Sequence, residues 1–322
     1  MRAVYCPKYG PPAVLEVRDL PQPEMKKGHM IVRVHAVAVT SGDARIRAAR
    51  FPMGMGFMAR LGLGLFGPRA PVLGMTYAGV VAAVAADVTG VAVGQRVFGM
   101  TGIKMGAMAE YVRVAATSPV VTLPDSVDFV RGAAASFGGT TALHFLKHKA
   151  RVQPDDRVMI LGASGQVGVA AVQIAKHLGA HVTGVCSGKN MALVKGLGAD
   201  EVIDYTVQDP LSQGAYDVIM SCVGSATFAQ ARDALRPKGR FLLVDGGLRD
   251  MVSAMKKPDA QGRHTIGGVA REDAADLALL GDMMVTGAFD PVVTQTFPLA
   301  QAAAAHAVVD TGRKVGAVVL EV

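Results

Sequence analysis

The stretch VMILGASGQVGVAAVQIAKHL, from Val158 to Leu178, decides the fold of this chain. Its apolar start predicts a buried strand, its glycines predict a tight turn, and the apolar spacing that follows predicts a helix. Such a unit binds a dinucleotide pyrophosphate, because the backbone N–H groups at the start of the helix attract the anion. We predict a Rossmann domain whose phosphate loop comprises Gly162, Ala163, Ser164, Gly165, Gln166, Val167 and Gly168.

The sequence on either side of this stretch has two different patterns. On the C-terminal side, short apolar runs alternate with helical patterns, which predicts a parallel sheet with helical crossovers. On the N-terminal side, strand-like runs are separated by Pro/Gly clusters, which predicts an antiparallel, partly barrelled β domain. The predicted fold class is therefore α/β, with a doubly wound parallel sheet inserted in a β domain. The predicted bounds are 1–122 for the β domain, 123–268 for the Rossmann domain and 269–322 for the return to the first domain.

The composition is that of a folded protein with two domains. Hydrophobic residues make up 51% of the 322 residues and charged residues 18%, which is enough apolar material for two domains. The three cysteines are far apart in sequence, so we expect free thiols in a reducing cytoplasm. No apolar run reaches the roughly 18 residues that span a bilayer, so we expect no stable membrane insertion.

The basic charge bears on the choice of partner. The net charge is +7, but the Lys and Arg residues are dispersed and tryptophan is absent, so we expect no nucleic-acid partner.

An NAD-selective Rossmann domain places an acidic residue on the adenosine ribose about 20 residues after the glycines. Here Ser187 and Lys189 occupy that place, and a hydroxyl with an ammonium suits a 2′-phosphate. We predict NADPH as the cofactor; the alternative is that Lys189 is only a solvated charge at a helix start.

Several further landmarks recur in order along the chain: MRAV at 1–4, GQRVFG at 94–99, GAMAEYV at 106–112, LGADEVIDY at 197–205 and GRKVG at 312–316. Over nearly its whole length the chain resembles the zinc-less quinone oxidoreductase branch of the medium-chain dehydrogenases/reductases. The resemblance implies a GroES-like catalytic domain around the Rossmann domain. It also implies a homodimer, because residues 263–269 are similar to the edge strand that pairs across the dimer in that family.

The resemblance adds further cofactor contacts. It places Tyr205 near the adenosine phosphate and Thr141 near the phosphates on the nicotinamide side. The remaining contacts that it implies are Val223, Gly224, Gly246, Gly247 and Lys314. The later glycines are equally well explained as ordinary turns at strand ends.

The zinc-dependent relatives of this family bind their catalytic metal through two cysteines and a histidine. The corresponding positions here are Thr40, Met75 and Phe137, so that site is not expected to form. Without a Lewis acid, hydride delivery to an activated alkene or quinone is favoured, with hydrogen-bond donors stabilising the developing oxyanion. The resemblance places Thr40, Ser41 and Asp43 at this position, with Tyr77 as a further donor. Asp43 is equally well interpreted as the N-cap of the helical turn that follows it.

The sequence thus predicts an NADPH-dependent reductase of a small hydrophobic carbonyl or quinone. A metal-free NADP-dependent alcohol dehydrogenase and a non-catalytic NADPH-binding protein are the alternatives. The Met- and Gly-rich segment 51–68 has three interpretations: a wall for a hydrophobic substrate, an interfacial membrane anchor, or plain packing.

Overall fold

The computed structural model describes residues 1–50, 56–212, 214–245, 254–255 and 257–322. The described chain divides into two compact units: unit 1 contains residues of 1–137 and 272–322, and unit 2 contains residues of 138–271. Both points where the chain passes from one unit to the other fall later than the predicted bounds at 122/123 and 268/269, and the first lies inside the helix Phe129–Leu143.

Fifteen strands are present in the described residues. In chain order, β1 to β15 are Arg2–Tyr5, Glu16–Asp19, His29–Ala38, Thr76–Val84, Arg96–Met100, Tyr111–Ala115, Val120–Thr122, Arg157–Leu161, His181–Cys186, Glu201–Asp204, Tyr216–Ser221, Leu235–Leu243, His264–Gly267, Val293–Pro298 and Ala317–Glu321.

Eight α-helices connect these strands in the described residues. In chain order, α1 to α8 are Ser41–Ala48, Gly56–Leu63, Phe129–Leu143, Gln166–His177, Met191–Gly196, Phe228–Ala231, Ala274–Val285 and Ala302–Asp310. A π-helical segment, His144–Lys149, continues directly from α3.

Unit 2 is built on a parallel sheet of six strands in the order β10-β9-β8-β11-β12-β13. The order runs outward from β8 in both directions, so the sheet reverses between β8 and β11, with Val218 opposite Val158. In β8 and β11 most residues are buried, which explains why their sequences are continuous apolar runs. This is the doubly wound Rossmann arrangement that the sequence predicts. In open sheets of this kind, ligands bind outside the carboxyl ends of the strands where the order reverses.

Unit 1 contains a seven-stranded sheet centred on the long strand β3. One edge of β3 pairs with β4, and the other edge is shared: His29–Arg33 pairs with β6 and Ala36–Ala38 with β15. Two register shifts between β3 and β4 accompany this change of partner. Within the described residues the strand path ends at β14 and β7, so the sheet is open rather than a closed barrel.

Candidate functional site

The turn after β8 shows why two of its glycines are needed. Gly162 has φ +84°, in the left-handed region, and a Cβ there would lie 2.8 Å from the Val223 side chain. A Cβ on Gly168 would lie 2.1 Å from the Gly162 carbonyl oxygen, so α4 packs directly on the turn. The predicted tight turn and close helix packing are therefore both present.

Gly165 differs from the other two glycines, because the protein itself does not require it. It is the N-cap of α4 with φ −78° and ψ 170°, and it supplies no side-chain cap. The nearest atom to a Cβ there would be the Gly162 oxygen, 3.5 Å away. The start of α4 therefore has no side-chain cap and has room beside Gly165, and a helix N-terminus of this kind suits a pyrophosphate.

The loop after β9 is joined to this turn by a residue that sequence reasoning missed. The Asn190 amide Nδ2 donates to the Ser164 hydroxyl at 3.1 Å and to the Ser187 hydroxyl at 3.2 Å. Lys189 is exposed on the same loop, and it forms no ion pair within the described part of the chain. The structure thus brings the phosphate loop and the predicted 2′-phosphate residues together. The only sign of this contact in the sequence is that an amide residue, Asn190, directly follows Lys189.

The end of β10 also contacts this loop. Tyr205 is 58% exposed, which leaves its ring accessible, and its backbone N–H donates to the Cys186 carbonyl at 3.2 Å. The preceding residue, Asp204, accepts hydrogen bonds from Thr206, and these bonds hold the pKa of its carboxyl below the usual range. Asp204 was not singled out from the sequence.

The remaining predicted cofactor contacts are dispersed. Thr141 is buried in α3, and Val223 is half exposed at the end of β11, against Gly162. Gly224 has φ +61°, as an ordinary strand-end turn would require. Lys314 lies in unit 1, where its Nζ donates to the Gly316 carbonyl at 3.0 Å and burial lowers its pKa to about 8. Gly246 and Gly247 lie outside the described residues.

The predicted catalytic turn begins α1 with a capping box. Thr40 is the N-cap, so the interpretation of Asp43 as the N-cap is wrong: Asp43 closes the box from the third helical position. The Thr40 hydroxyl donates to Asp43 Oδ2 at 2.6 Å, and the Asp43 N–H donates back to that hydroxyl at 3.1 Å. Asp43 Oδ1 accepts from the Gly74 N–H at 3.1 Å, which ties α1 to the segment before β4.

Burial decides what this turn can do. Thr40 and Asp43 are fully buried, and desolvation raises the pKa of the Asp43 carboxyl to about 6, although its hydrogen bonds lower it in part. The Thr40 hydroxyl proton is committed to Asp43. Ser41 begins the helix in a half-buried position.

Tyr77 belongs to the hydrophobic core of unit 1. It is fully buried, and its hydroxyl has no hydrogen-bond partner in the described part of the chain. Desolvation raises the pKa of this phenol. The hydroxyl is therefore not exposed, as it would have to be to donate a hydrogen bond to a bound substrate.

The positions that correspond to zinc ligands carry a different chemistry. The Thr40 hydroxyl lies 3.6 Å from the Met75 sulfur, so two of the three positions meet in space. A hydroxyl, a thioether and the phenyl ring of Phe137 are not the thiolate, imidazole or carboxylate donors that zinc requires. Among the described residues, no group of three or more His, Cys, Asp or Glu could hold a metal ion. Zinc does not fit this donor set.

The cysteines and helices agree with the composition. Cys6, Cys186 and Cys222 are all free. Within the described residues no helix combines the length and apolar character that a bilayer crossing needs. The cytoplasmic location stays a prediction.

Comparison with known proteins gives two family matches and close relatives. Residues 26–125 match the alcohol dehydrogenase GroES-like domain, and residues 197–320 match a family described as zinc-binding dehydrogenase. A quinone oxidoreductase of Sus scrofa is 31% identical over 95% of this chain and 93% of its own length. The quinone oxidoreductase structure from Coxiella burnetii is 29% identical with TM-score 0.88, covering 100% of this chain and 99% of that one. A structure of an NAD-dependent alcohol dehydrogenase is 27% identical with TM-score 0.83, and the match covers both chains in full.

Proposed function

Since this chain belongs to the quinone oxidoreductase-like branch of the medium-chain dehydrogenases/reductases, a branch of oxidoreductases, we propose that it is a zinc-independent, NADPH-dependent reductase of quinones or α,β-unsaturated carbonyls. The observation that carries this proposal is the open N-terminus of α4, to which Asn190 joins the Ser187–Lys189 loop. A helix start without a side-chain cap suits an anionic ligand, and an exposed cation on the adjoining loop suits a second phosphate.

The residues of unit 2 have distinct roles in holding the nucleotide. The backbone of the Gly162–Gly168 turn binds the pyrophosphate, while Ser187, Lys189 and Tyr205 bind the 2′-phosphate. Once bound, the dinucleotide supplies the hydride that reduces the acceptor.

The residues of unit 1 would serve the acceptor. Of the four candidate donors, Thr40 and Asp43 are buried and bonded to each other, and Tyr77 is enclosed in the core. Ser41 is half buried, and its hydroxyl has no partner within the described residues. We therefore assign the oxyanion donor to Ser41. Thr40 and Asp43 are positioning residues that hold the start of α1, and Ser41→Ala is expected to lower kcat with little change in nucleotide affinity.

To test the cofactor and the acceptor, the purified protein is mixed with NADPH and each of a panel of quinones and enones. The oxidation of NADPH is then measured by its absorbance. The Ser187→Ala/Lys189→Ala variant should raise the KM for NADPH at least tenfold. Lys26→Ala is the matched control, because it removes an exposed lysine from unit 1. Tight NADPH binding without oxidation by any acceptor would instead support a non-catalytic binding protein.

The zinc-independent part of the proposal is tested separately. Activity should survive exhaustive chelation, and elemental analysis of the purified protein should find no stoichiometric zinc. The similarity to an alcohol dehydrogenase structure keeps metal-free alcohol oxidation as the second candidate. Alcohol-dependent reduction of NADP that chelators do not affect would favour that candidate.

We also propose a homodimer through β13, because this strand lies at one edge of the six-stranded sheet. Val269 follows it and is 87% exposed. Sedimentation velocity should find a dimer, and Val269→Asp should shift the protein toward monomer. A monomeric wild-type protein at micromolar concentration would contradict the proposal.

A further inference from the structure

The turn after β10 holds a carboxylate in a fixed position. Asp204 Oδ1 accepts from the Thr206 backbone N–H at 2.9 Å and from the Thr206 hydroxyl at 2.7 Å. The next residue is tied to β9, because the Tyr205 N–H donates to the Cys186 carbonyl. The carboxylate is therefore held by its own turn.

The second oxygen of this carboxylate faces the loop after β9. A Cβ built on Gly188 would lie only 2.4 Å from Asp204 Oδ2. Gly188 has no positive φ, so its backbone conformation does not require glycine. The approach of the Asp204 carboxylate leaves little room for a side chain there, and Gly188 lies between the two residues proposed to bind the 2′-phosphate.

The charge at this point stays negative. Hydrogen bonds from Thr206 and from the Gly188 N–H lower the pKa of Asp204, so the group is ionised near neutral pH. Within the described residues Lys189 forms no ion pair with it. The loop after β9 therefore presents a cation, and the turn after β10 presents a separate carboxylate beside it. A carboxylate repels a phosphate, whereas it accepts hydrogen bonds from the hydroxyls of an unphosphorylated ribose.

We propose that Asp204 is a specificity-determining residue that limits the preference for NADPH and allows the same site to accept NADH. It acts on the nucleotide site of the proposed function and presupposes that site. Ser187 and Lys189 favour the phosphorylated nucleotide, and Asp204, whose Oδ2 lies against Gly188, opposes them. The ratio of the two affinities is therefore set by opposing charges.

The experiment measures the Kd of NADPH and of NADH for the purified full chain by titrating nucleotide fluorescence. Asp204→Asn removes the charge while keeping the size and one carbonyl acceptor for Thr206. The Kd for NADPH should fall about three- to tenfold, the effect expected for charges a few ångströms apart in partly solvated surroundings. The Kd for NADH should stay the same or rise, and the effect on NADPH should weaken at high salt.

Asp209→Asn is the matched control, because Asp209 accepts from the Leu211 N–H in a similar exposed turn and also carries one charge. Asp204→Ser is a second way to remove the charge should the asparagine variant fold poorly. An unchanged ratio of affinities, an equal change in Asp209→Asn, or equal weakening of both nucleotides would overturn the inference. If the wild type binds neither nucleotide, the proposed function fails and the inference fails with it.

Discussion

The helices α1 and α4 begin in the same way along the chain, each directly after a strand, but their N-termini are treated in opposite ways. At α1, the side chains of Thr40 and Asp43 bond the first backbone N–H groups, and both residues are buried. At α4, the N-cap is Gly165, which contributes no side chain, and the space before it is open.

The difference supports the proposal that the start of α4, and not that of α1, binds the nucleotide. A capping box satisfies the N-terminal donors from within the protein and stabilises the helix by about 0.5–2 kcal/mol. Gly165 provides no such side-chain cap, and under the proposed function the start of α4 binds the pyrophosphate instead. The Thr40 hydroxyl and the Asp43 carboxylate, which look catalytic in the sequence, bond each other at the start of α1, whereas Gly165 leaves the start of α4 without a side-chain cap.

The largest expected effect comes from Gly168→Val. Its Cβ would meet the Gly162 oxygen at 2.1 Å and the Ala163 Cα at 2.7 Å, and neither backbone atom can move without displacing the turn. We expect a loss of at least about 3 kcal/mol in the free energy of unfolding and no nucleotide binding. Urea denaturation and nucleotide titration check this. Gly196→Ala is the control, because nothing lies within 4 Å of its Cβ, and it should be neutral or stabilising.

Gly165→Asp converts the start of α4 into one that resembles α1. The position has room for a Cβ and the extended backbone of an N-cap, so we expect an unchanged or higher Tm. The new carboxylate occupies and repels the anion site, so the Kd for NADPH should rise more than tenfold. Gly165→Asn, an equally good cap without charge, should weaken binding less. A destabilised Gly165→Asp protein would contradict the interpretation that this N-cap position can take a capping side chain.

Asp43→Asn tests the closed helix start. The asparagine amide would place its own donor against the N–H group of Thr40 or of Gly74. We therefore expect the variant to lose about 1–3 kcal/mol in the free energy of unfolding at low pH, where Asp43 of the wild type is protonated. Burial raises the folded pKa of Asp43 to about 6, above its unfolded value, so the native state holds this proton more tightly. The stability that protonated Asp43 contributes to the native state is complete below about pH 4 and decreases as the pH rises through 6. The stability difference between wild type and variant should therefore shrink between these values, and a difference that grows with pH would contradict the assigned shift.

The smallest effect is expected for Tyr77→Phe. The hydroxyl is buried without a partner in the described residues, so its removal should be neutral or stabilise the protein by up to about 1 kcal/mol. Turnover should be unchanged. A large fall in kcat at constant Tm would restore Tyr77 as a donor to the substrate.

The sequence predicts the sheet of unit 2 well, because its apolar runs and glycines are local signals that the fold preserves. The strand order outward from β8 follows from the same signals. The roles at the candidate site depend instead on contacts between segments distant in sequence. That Asp204 reaches Gly188, or that Tyr77 is enclosed by the core, depends on strand register and packing, which no local pattern contains.

The shared edge of β3 has a consequence for the order of folding during synthesis. Its C-terminal half finds its partner only in β15, where Val319 lies opposite Ala38. The sheet of unit 1 therefore stays incomplete until β15 has left the ribosome, by which time every described strand of unit 2 has been made. The inserted unit can acquire its native structure first. The enclosing unit, whose closing contact is among the most distant in the chain, finishes last.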